Sequence, residues 1–233
     1  NVLHAANALF NLPPHAKRAI DYSQSPAFRG YMALGVENTA GRTDHREQFE
    51  VAEEAVASNS RDGDDLQQLH QRLRGPNLWP AELPELQTHV KTFASAMLAV
   101  SRELTRALAL ALGLQPAALL SVLEPQPHWQ LKLAHYPVAT RGSATEGCGA
   151  HCDSGFITLV LAEGRESCLQ AFSRGEWLDV PALGPEWVTC NLGEVAEILS
   201  SGFLRATPHR VLPPRSTPRI SVPWFYNQPL ECE

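Results

Sequence analysis

Residues 149–162 read Gly-Ala-His-Cys-Asp-Ser-Gly-Phe-Ile-Thr-Leu-Val-Leu-Ala. A small, glycine-punctuated turn leads an imidazole and a carboxylate, His151 and Asp153, directly into an apolar run from Gly155 to Leu161. A short run of this kind, bounded by turn residues and rich in β-branched side chains, predicts a buried strand. Outward from it, comparable segments occur at close spacing: Trp129 to Tyr136, Cys168 to Phe172, Glu176 to Val180, Trp187 to Asn191, His209 to Leu212 and Arg219 to Tyr226. Gly, Pro and Ser turns separate them, a pattern that predicts an antiparallel sandwich or barrel.

Upstream of Pro127 the character is helical. From about Leu83 to Leu112, Leu86, Val90, Phe93, Met97, Val100, Leu104, Leu108 and Ala111 recur at steps of three and four and predict one apolar face. Gly113 is the expected C-cap, and Pro116 the start of a short helix through Leu123. Asn1 to Leu12 predicts a helix leading into Pro13-Pro14, with another short helix from His15 to Asp21. Phe28 to Gly41 reads as strand pieces and turns, and Ser58 to Asp65 as a surface loop. The expected class is therefore α+β, with a helical region 1–127 bracing an all-β region 128–233. The two form one unit, because the long helix needs a sheet to bury its stripe.

The 233 residues suffice to bury a sizeable core, and 44% hydrophobic against 19% charged residues excludes a disordered chain. A formal charge of −6 argues against a phosphate-backbone binder, so no nucleic-acid partner is expected. No apolar run is long enough to cross a bilayer, and no membrane partner is expected. Five cysteines without close repeated spacing suit free thiols in a reducing compartment and predict a cytoplasmic protein. Cys148, Cys168, Cys190 and Cys232 receive no role.

The chemistry-bearing residues are His151, Asp153 and His209. On a strand, positions i and i+2 face the same side, so His151 and Asp153 could reach one ion, with Cys152 turned away into the barrel wall. His209 opens another predicted strand. Two imidazoles and one carboxylate on one face of an octahedron suit a non-haem Fe(II) with three positions open. Among nine histidines an isolated H-x-D carries little weight. The segment downstream of His209 adds to it. Arg219 and Ser221 share a strand face, where a guanidinium fork beside a hydroxyl forms a clamp for a carboxylate. An arginine amid Ile220, Val222, Pro223 and Trp224 needs an anionic partner if that surround is a pocket, and needs none on an exposed edge.

The order His151-x-Asp153, His209, Arg219-x-Ser221 resembles the iron- and 2-oxoglutarate-dependent dioxygenases of the isopenicillin N synthase-like branch. So do Arg29-Gly30-Tyr31, Gly75-Pro76-Asn77 with Trp79-Pro80, His135-Tyr136-Pro137, Leu169-Gln170 with Trp177, Asn191-Leu192-Gly193 and His209-Arg210-Val211, in that order. The resemblance implies a double-stranded β-helix, a jelly-roll barrel with helices packed outside. His151, Asp153 and His209 would ligate Fe(II), with no further catalytic residue. Arg219 and Ser221 would hold the distal carboxylate of 2-oxoglutarate. Tyr136 stands where a tyrosine often hydrogen-bonds that co-substrate, and equally reads as a core tyrosine with a satisfied hydroxyl. Ala134 replaces an asparagine common in the family. Gly193 is expected to serve a turn, and Trp79, Trp177 and Trp187 to pack.

By the same resemblance, the chain is a dioxygenase using Fe(II), 2-oxoglutarate and O₂ to hydroxylate or desaturate a small organic metabolite, with succinate and CO₂ released. Phe156, Val211, Phe225 and Tyr226 are expected to line the mouth. A 2-oxoglutarate-independent oxidase of the same fold would use the clamp for its substrate's own carboxylate. A catalytically silent metal- or ligand-binding barrel and a zinc hydrolase remain as rivals, the last lacking a general base nearby. Family members usually carry a strand and helix before the region of Asn1 to Leu12 and a helical tail after Pro229. Their lack here makes the chain either a piece of a longer protein or a short member. Oligomeric state stays open.

Overall fold

A computed structural model describes residues 1–56, 70–140 and 146–231. The expected surface loop from Ser58 to Asp65 and the residue Cys232 fall outside them. Two helices open the chain, α1 (Val2–Phe10) and α2 (Pro14–Ala19). The Asn1 side chain accepts from the His4 N–H and caps α1, and Pro14 fits the first turn of α2, which has no need of its N–H. Strands β1 (Gly30–Met32), β2 (Asn38–Thr39), β3 (Arg42–Thr43) and β4 (Glu47–Ala52) come next, then the long α3 (Glu85–Ala111) and the short α4 (Leu120–Leu123).

The second half supplies β5 (His128–Tyr136), β6 (Cys148–His151), β7 (Ile157–Ala162), β8 (Leu169–Ser173), β9 (Glu176–Asp179), β10 (Val188–Leu192), α5 (Glu194–Leu199), β11 (His209–Val211) and β12 (Arg219–Asn227). They build a six-stranded sheet in the order β1-β4-β5-β12-β7-β10 and a four-stranded sheet β6-β11-β8-β9, with β2 and β3 as a separate hairpin. Every pairing between these strands is antiparallel. The first half thus contributes strands as well as helices: β1 and β4 complete the sheet that β5 continues.

Alternation along β12 sorts its side chains. Ile220, Val222, Trp224 and Tyr226 enter the main hydrophobic core, whereas Arg219, Ser221, Pro223 and Phe225 line a cavity between the sheets. Trp224 is fully buried and stacks on Trp129 at 4.9 Å between ring centroids. Burial of a side chain this size stabilises by roughly 2–3 kcal/mol.

The long helix packs on this core by a different face than its apolar pattern predicts. Leu86, Val90 and Met97 are buried as expected, but Val100 and Leu104 are exposed, and Ser101, Thr105 and Ala109 turn inward instead. The reason is Trp224, whose indole N–H donates to Ser101 Oγ at 3.0 Å. A buried indole needs an acceptor, and small residues let the helix approach the sheet closely. Gly113 has φ +73° just past the helix, the left-handed cap position expected of it. Trp187, expected to pack, is 62% exposed.

Glu47, at the start of β4, joins the N-terminal helices to the sheet. Its carboxylate accepts from Lys17 Nζ at 2.9 Å and Tyr31 Oη, and pairs with His135 Nδ1 at 2.8 Å. Burial alone would raise its pKa, but the hydrogen bonds from His135, Tyr31 and Lys17 outweigh it and bring the value down to about 2.

Candidate metal centre

His151 ends β6 and His209 begins β11, and the two are direct partners across the antiparallel ladder. Their ring centroids lie 4.4 Å apart. Asp153 is not on the strand with His151, as the i, i+2 argument expects; it sits in the turn two residues beyond, and the turn's curvature brings its carboxylate back. Oδ1 lies 3.6 Å from His151 Nε2 and 3.7 Å from His209 Nε2. One ligand atom from each of the three residues falls within 4.8 Å of the others. Cys152, between the ligands, is half-buried and does not line the cavity.

The surroundings hold each group in a ligating state. His151 Nδ1 is 2.8 Å from the Gly149 carbonyl and His209 Nδ1 is 3.0 Å from the Thr207 carbonyl. A carbonyl can only accept, so both Nδ1 atoms carry the hydrogen and both Nε2 lone pairs face inward. Burial lowers the His151 pKa, and the charges of His209 and Arg46 lower it further against the opposing pull of Gly149 and Asp153. Asp153 is buried, and its Oδ2 accepts from Thr158 Oγ1 at 2.6 Å and Asn191 Nδ2 at 2.7 Å, which leaves Oδ1 directed at the imidazoles.

The turn that carries Asp153 is clasped by the start of α5. Glu194 N–H donates to Asp153 O at 2.8 Å, Val195 N–H to Gly155 O at 3.0 Å and Gly193 N–H to Phe156 O at 3.1 Å. Gly193 serves close approach here rather than a left-handed turn: its φ is −106°, and a Cβ would stand 2.2 Å from Gly155 O and 2.7 Å from Asp153 O.

Arg219 and Tyr136 are opposite one another across β12 and β5, with the guanidinium 5.2 Å above the tyrosine ring. Arg219, Ser221 and Tyr136 are all buried, and all three line the cavity of about 60 Å³ that also contains the His-Asp-His cluster. Arg219 Nη1 is buried without a hydrogen-bond partner. A buried guanidinium with an unmet N–H calls for an anion. The pocket reading of Arg219 therefore describes its surroundings, and the exposed-edge reading does not.

Val211 and Phe225 line this cavity. Phe156 and Tyr226 do not: both are fully buried in the main core, and Tyr226 directs its hydroxyl toward Glu124 at 3.4 Å. The correction comes from strand alternation, which sends Phe225 inward and its neighbour to the opposite face. Thr158 and Arg46 also line the cavity, and the sequence does not point to either; a threonine in an apolar run, as Thr158 is, carries only a strand signal. Asn191, legible in the sequence only as a family landmark, gains a task from its bond to Asp153.

Two imidazole nitrogens and one carboxylate oxygen, gathered at a single point, fit a divalent first-row metal with positions left open. The unmet Arg219 N–H in the same cavity fits a carboxylate co-ligand. Comparison with known proteins gives the same pairing. The family model for the 2OG-Fe(II) oxygenase superfamily matches residues 127–228, and that for the non-haem dioxygenase in morphine synthesis N-terminal region matches residues 1–82. A homoarginine-6-hydroxylase, 2-ODD-C23.2 of Arabidopsis thaliana, is 30% identical over 100% of this chain and 63% of its own length. The 2-oxoglutarate-dependent dioxygenase frbJ of Dothideomycetidae sp. (strain 11243) is 31% identical over 97% of this chain and 61% of its own. This chain therefore spans less than two thirds of the length of these relatives. The crystal structure of a 2OG-Fe(II) oxygenase family protein from Caulobacter crescentus superposes with a TM-score of 0.77 at 27% identity, covering 97% of this chain and 72% of that one. Matched by these two models over residues 127–228 and 1–82, and resembling oxygenases of this kind along nearly its whole length, the chain belongs to the 2OG-Fe(II) oxygenase superfamily.

Proposed function

We propose that this chain forms the catalytic core of an Fe(II)- and 2-oxoglutarate-dependent oxygenase that hydroxylates, or desaturates, a small organic molecule and releases succinate and CO₂. The observation that carries this reading is the His-Asp-His cluster and a buried guanidinium with an unmet N–H in one cavity. His151, Asp153 and His209 would hold the iron. Arg219 and Ser221, with Tyr136 beside them, would hold the far carboxylate of 2-oxoglutarate. When bound, Fe(II) and 2-oxoglutarate together supply the activation of O₂ that oxidises a C–H bond.

The protein's own residues bind, orient and shield. Thr158 and Asn191 fix one carboxylate oxygen of Asp153 so that the other is presented. The Gly149 and Thr207 carbonyls hold each imidazole in its Nδ1–H tautomer, which leaves the Nε2 lone pair free to ligate. Arg219 sets the direction of the co-substrate by a charge-assisted bond in a buried site. Val211 and Phe225 give the cavity an apolar wall.

A small organic substrate, of the size implied by the homoarginine named in several relatives, fits this reading. Nucleic acid is not expected as a partner for a chain of charge −6. Among the described residues no helix is long and apolar enough to cross a membrane. Free Cys148, Cys152, Cys168 and Cys190 support a cytoplasmic location. The two sheets close into a jelly-roll with the helices outside, and regions 1–127 and 128–233 act as one unit, a reading supported by the packing of α1 and α3 on β12.

An anaerobic Fe(II) titration with and without 2-oxoglutarate tests the proposal. A visible metal-to-ligand charge-transfer band, lost in His151→Ala, is the expected result. Fe(II) bound without a band would point instead to an oxidase that does not use 2-oxoglutarate. Failure to bind Fe(II) would overturn the reading.

A further inference from the structure

Strand β6 carries an irregularity next to the cluster. His209 pairs with His151 and Val211 with Cys148, so β6 places one more residue than β11 between the two pairs. This is a β-bulge at Gly149 and Ala150, and a bulge locally breaks the ladder that would otherwise hold the strand's direction. Gly149 has no side chain to anchor it, yet its carbonyl is the group that receives His151 Nδ1–H. Its own N–H does not go to β11. It donates to Asp44 Oδ1 at 3.1 Å, across more than a hundred residues of sequence.

Asp44 is 1% exposed and lies just past the β2–β3 hairpin. Its other oxygen accepts from Thr39 Oγ1 at 2.9 Å and forms an ion pair with Arg46, whose Nη2 is 3.1 Å away, so the carboxylate is held from three sides. The hairpin presses on the bulge: a Cβ on Gly149 would lie 2.9 Å from Thr39 Cβ.

We propose that Asp44 is a positioning residue for the metal centre, fixing the Gly149 bulge so that its carbonyl orients His151. The inference rests on His151 being a metal ligand. It makes the N-terminal region part of the centre's construction, through one carboxylate and one peptide.

The test is Co(II) binding to the whole chain, monitored by visible absorption, alongside thermal melting of the metal-free protein. Asp44→Ala should weaken Co(II) about ten- to hundredfold, the usual effect of removing a group that orients a ligand. Asp44→Asn keeps a carbonyl acceptor for the Gly149 N–H and should stay within about threefold of wild type. Asp44→Glu keeps the charge for Arg46 but displaces the oxygens, and should bind Co(II) more weakly than the asparagine variant. That comparison stands even where Asp44→Ala does not fold. Wild-type affinity in a folded alanine or glutamate variant, or lowered melting without lowered affinity, would overturn the proposal and leave Asp44 a residue of the fold. Equal loss in the asparagine and glutamate variants would overturn it too. No Co(II) binding by wild type would instead remove the metal reading beneath it.

Discussion

His151 and His209 face each other as partners across β6 and β11, and neither directs its Nδ1 at the other. Each Nδ1–H goes to a backbone carbonyl two residues earlier in its own chain segment, Gly149 or Thr207. The ladder sets the spacing of the rings and the local backbone sets their tautomers. Asp153, pinned by the start of α5, completes the cluster from a turn. Three separate pieces of chain therefore have to be right for one ion to bind, and each can be perturbed on its own.

Arg219→Ala should raise the 2-oxoglutarate concentration needed for half-maximal turnover by about ten- to hundredfold, the equivalent of one charge-assisted hydrogen bond. Fe(II) affinity without 2-oxoglutarate should be unchanged, because Arg219 contacts none of the three ligands. Steady-state kinetics together with Fe(II) titration check both halves; an unchanged requirement for 2-oxoglutarate would end the clamp assignment.

Gly193→Ala places a methyl 2.2 Å from the Gly155 carbonyl and 2.7 Å from that of Asp153. Neither neighbour is the flexible end of a side chain, so the Asp153 turn has to shift. A loss of about 2 kcal/mol in urea unfolding is expected, with weakened Fe(II) binding in the folded protein. Wild-type stability would show that the clasp between α5 and the turn is looser than these contacts imply.

Acid should weaken the fold through Glu47. Its folded pKa of about 2 is below the ordinary 4.5. The unfolded chain therefore binds the proton first, and stability falls as pH drops from about 4.5 towards 2. Above that window the contribution is fully present, at about 3 kcal/mol. Urea midpoints at pH 7, 5 and 3 should show this decline, and Glu47→Gln should flatten it while lowering stability at pH 7. A parallel decline in both proteins would place the acid sensitivity elsewhere.

Ser101→Ala leaves the Trp224 indole N–H without its acceptor in a fully buried position. A loss of about 1–3 kcal/mol is expected from equilibrium unfolding, with the charge-transfer band intact because the helix lies on the far side of the sheet. Ser101→Thr, which keeps the hydroxyl, should lose less.

Much of this architecture can be read from residue order, and the exceptions share a cause. β5, β7, β10 and β12 announce themselves through β-branched and aromatic runs. β6, reading Cys-Gly-Ala-His, has no such run; pairing with β11 makes it a strand. β4 places Gln48 and Glu50 on a buried face, so the usual apolar and polar alternation is blurred. The inward turn of Ser101 depends on Trp224, over a hundred residues away. Phe156 and Tyr226 go to the core rather than the cavity mouth, because apolar character alone does not say which of two interiors a strand residue enters. His151, Asp153, His209, Arg219 and Ser221 are legible as a set because their order is a pattern; Asp44 and Thr158 belong to no such pattern.

The place of β4 between β1 and β5 has a practical meaning for anyone cutting the chain. Every residue from Glu47 to Ala52 has a registered partner on β5. A fragment beginning near residue 127 would keep the ligands and the arginine yet turn β5 into a bare border, its Leu131 and Leu133 uncovered and its peptide groups open to any passing strand. Such a fragment invites self-association before it can be assayed. Residue 127, where one of the two matched family models begins, is a poor place for scissors.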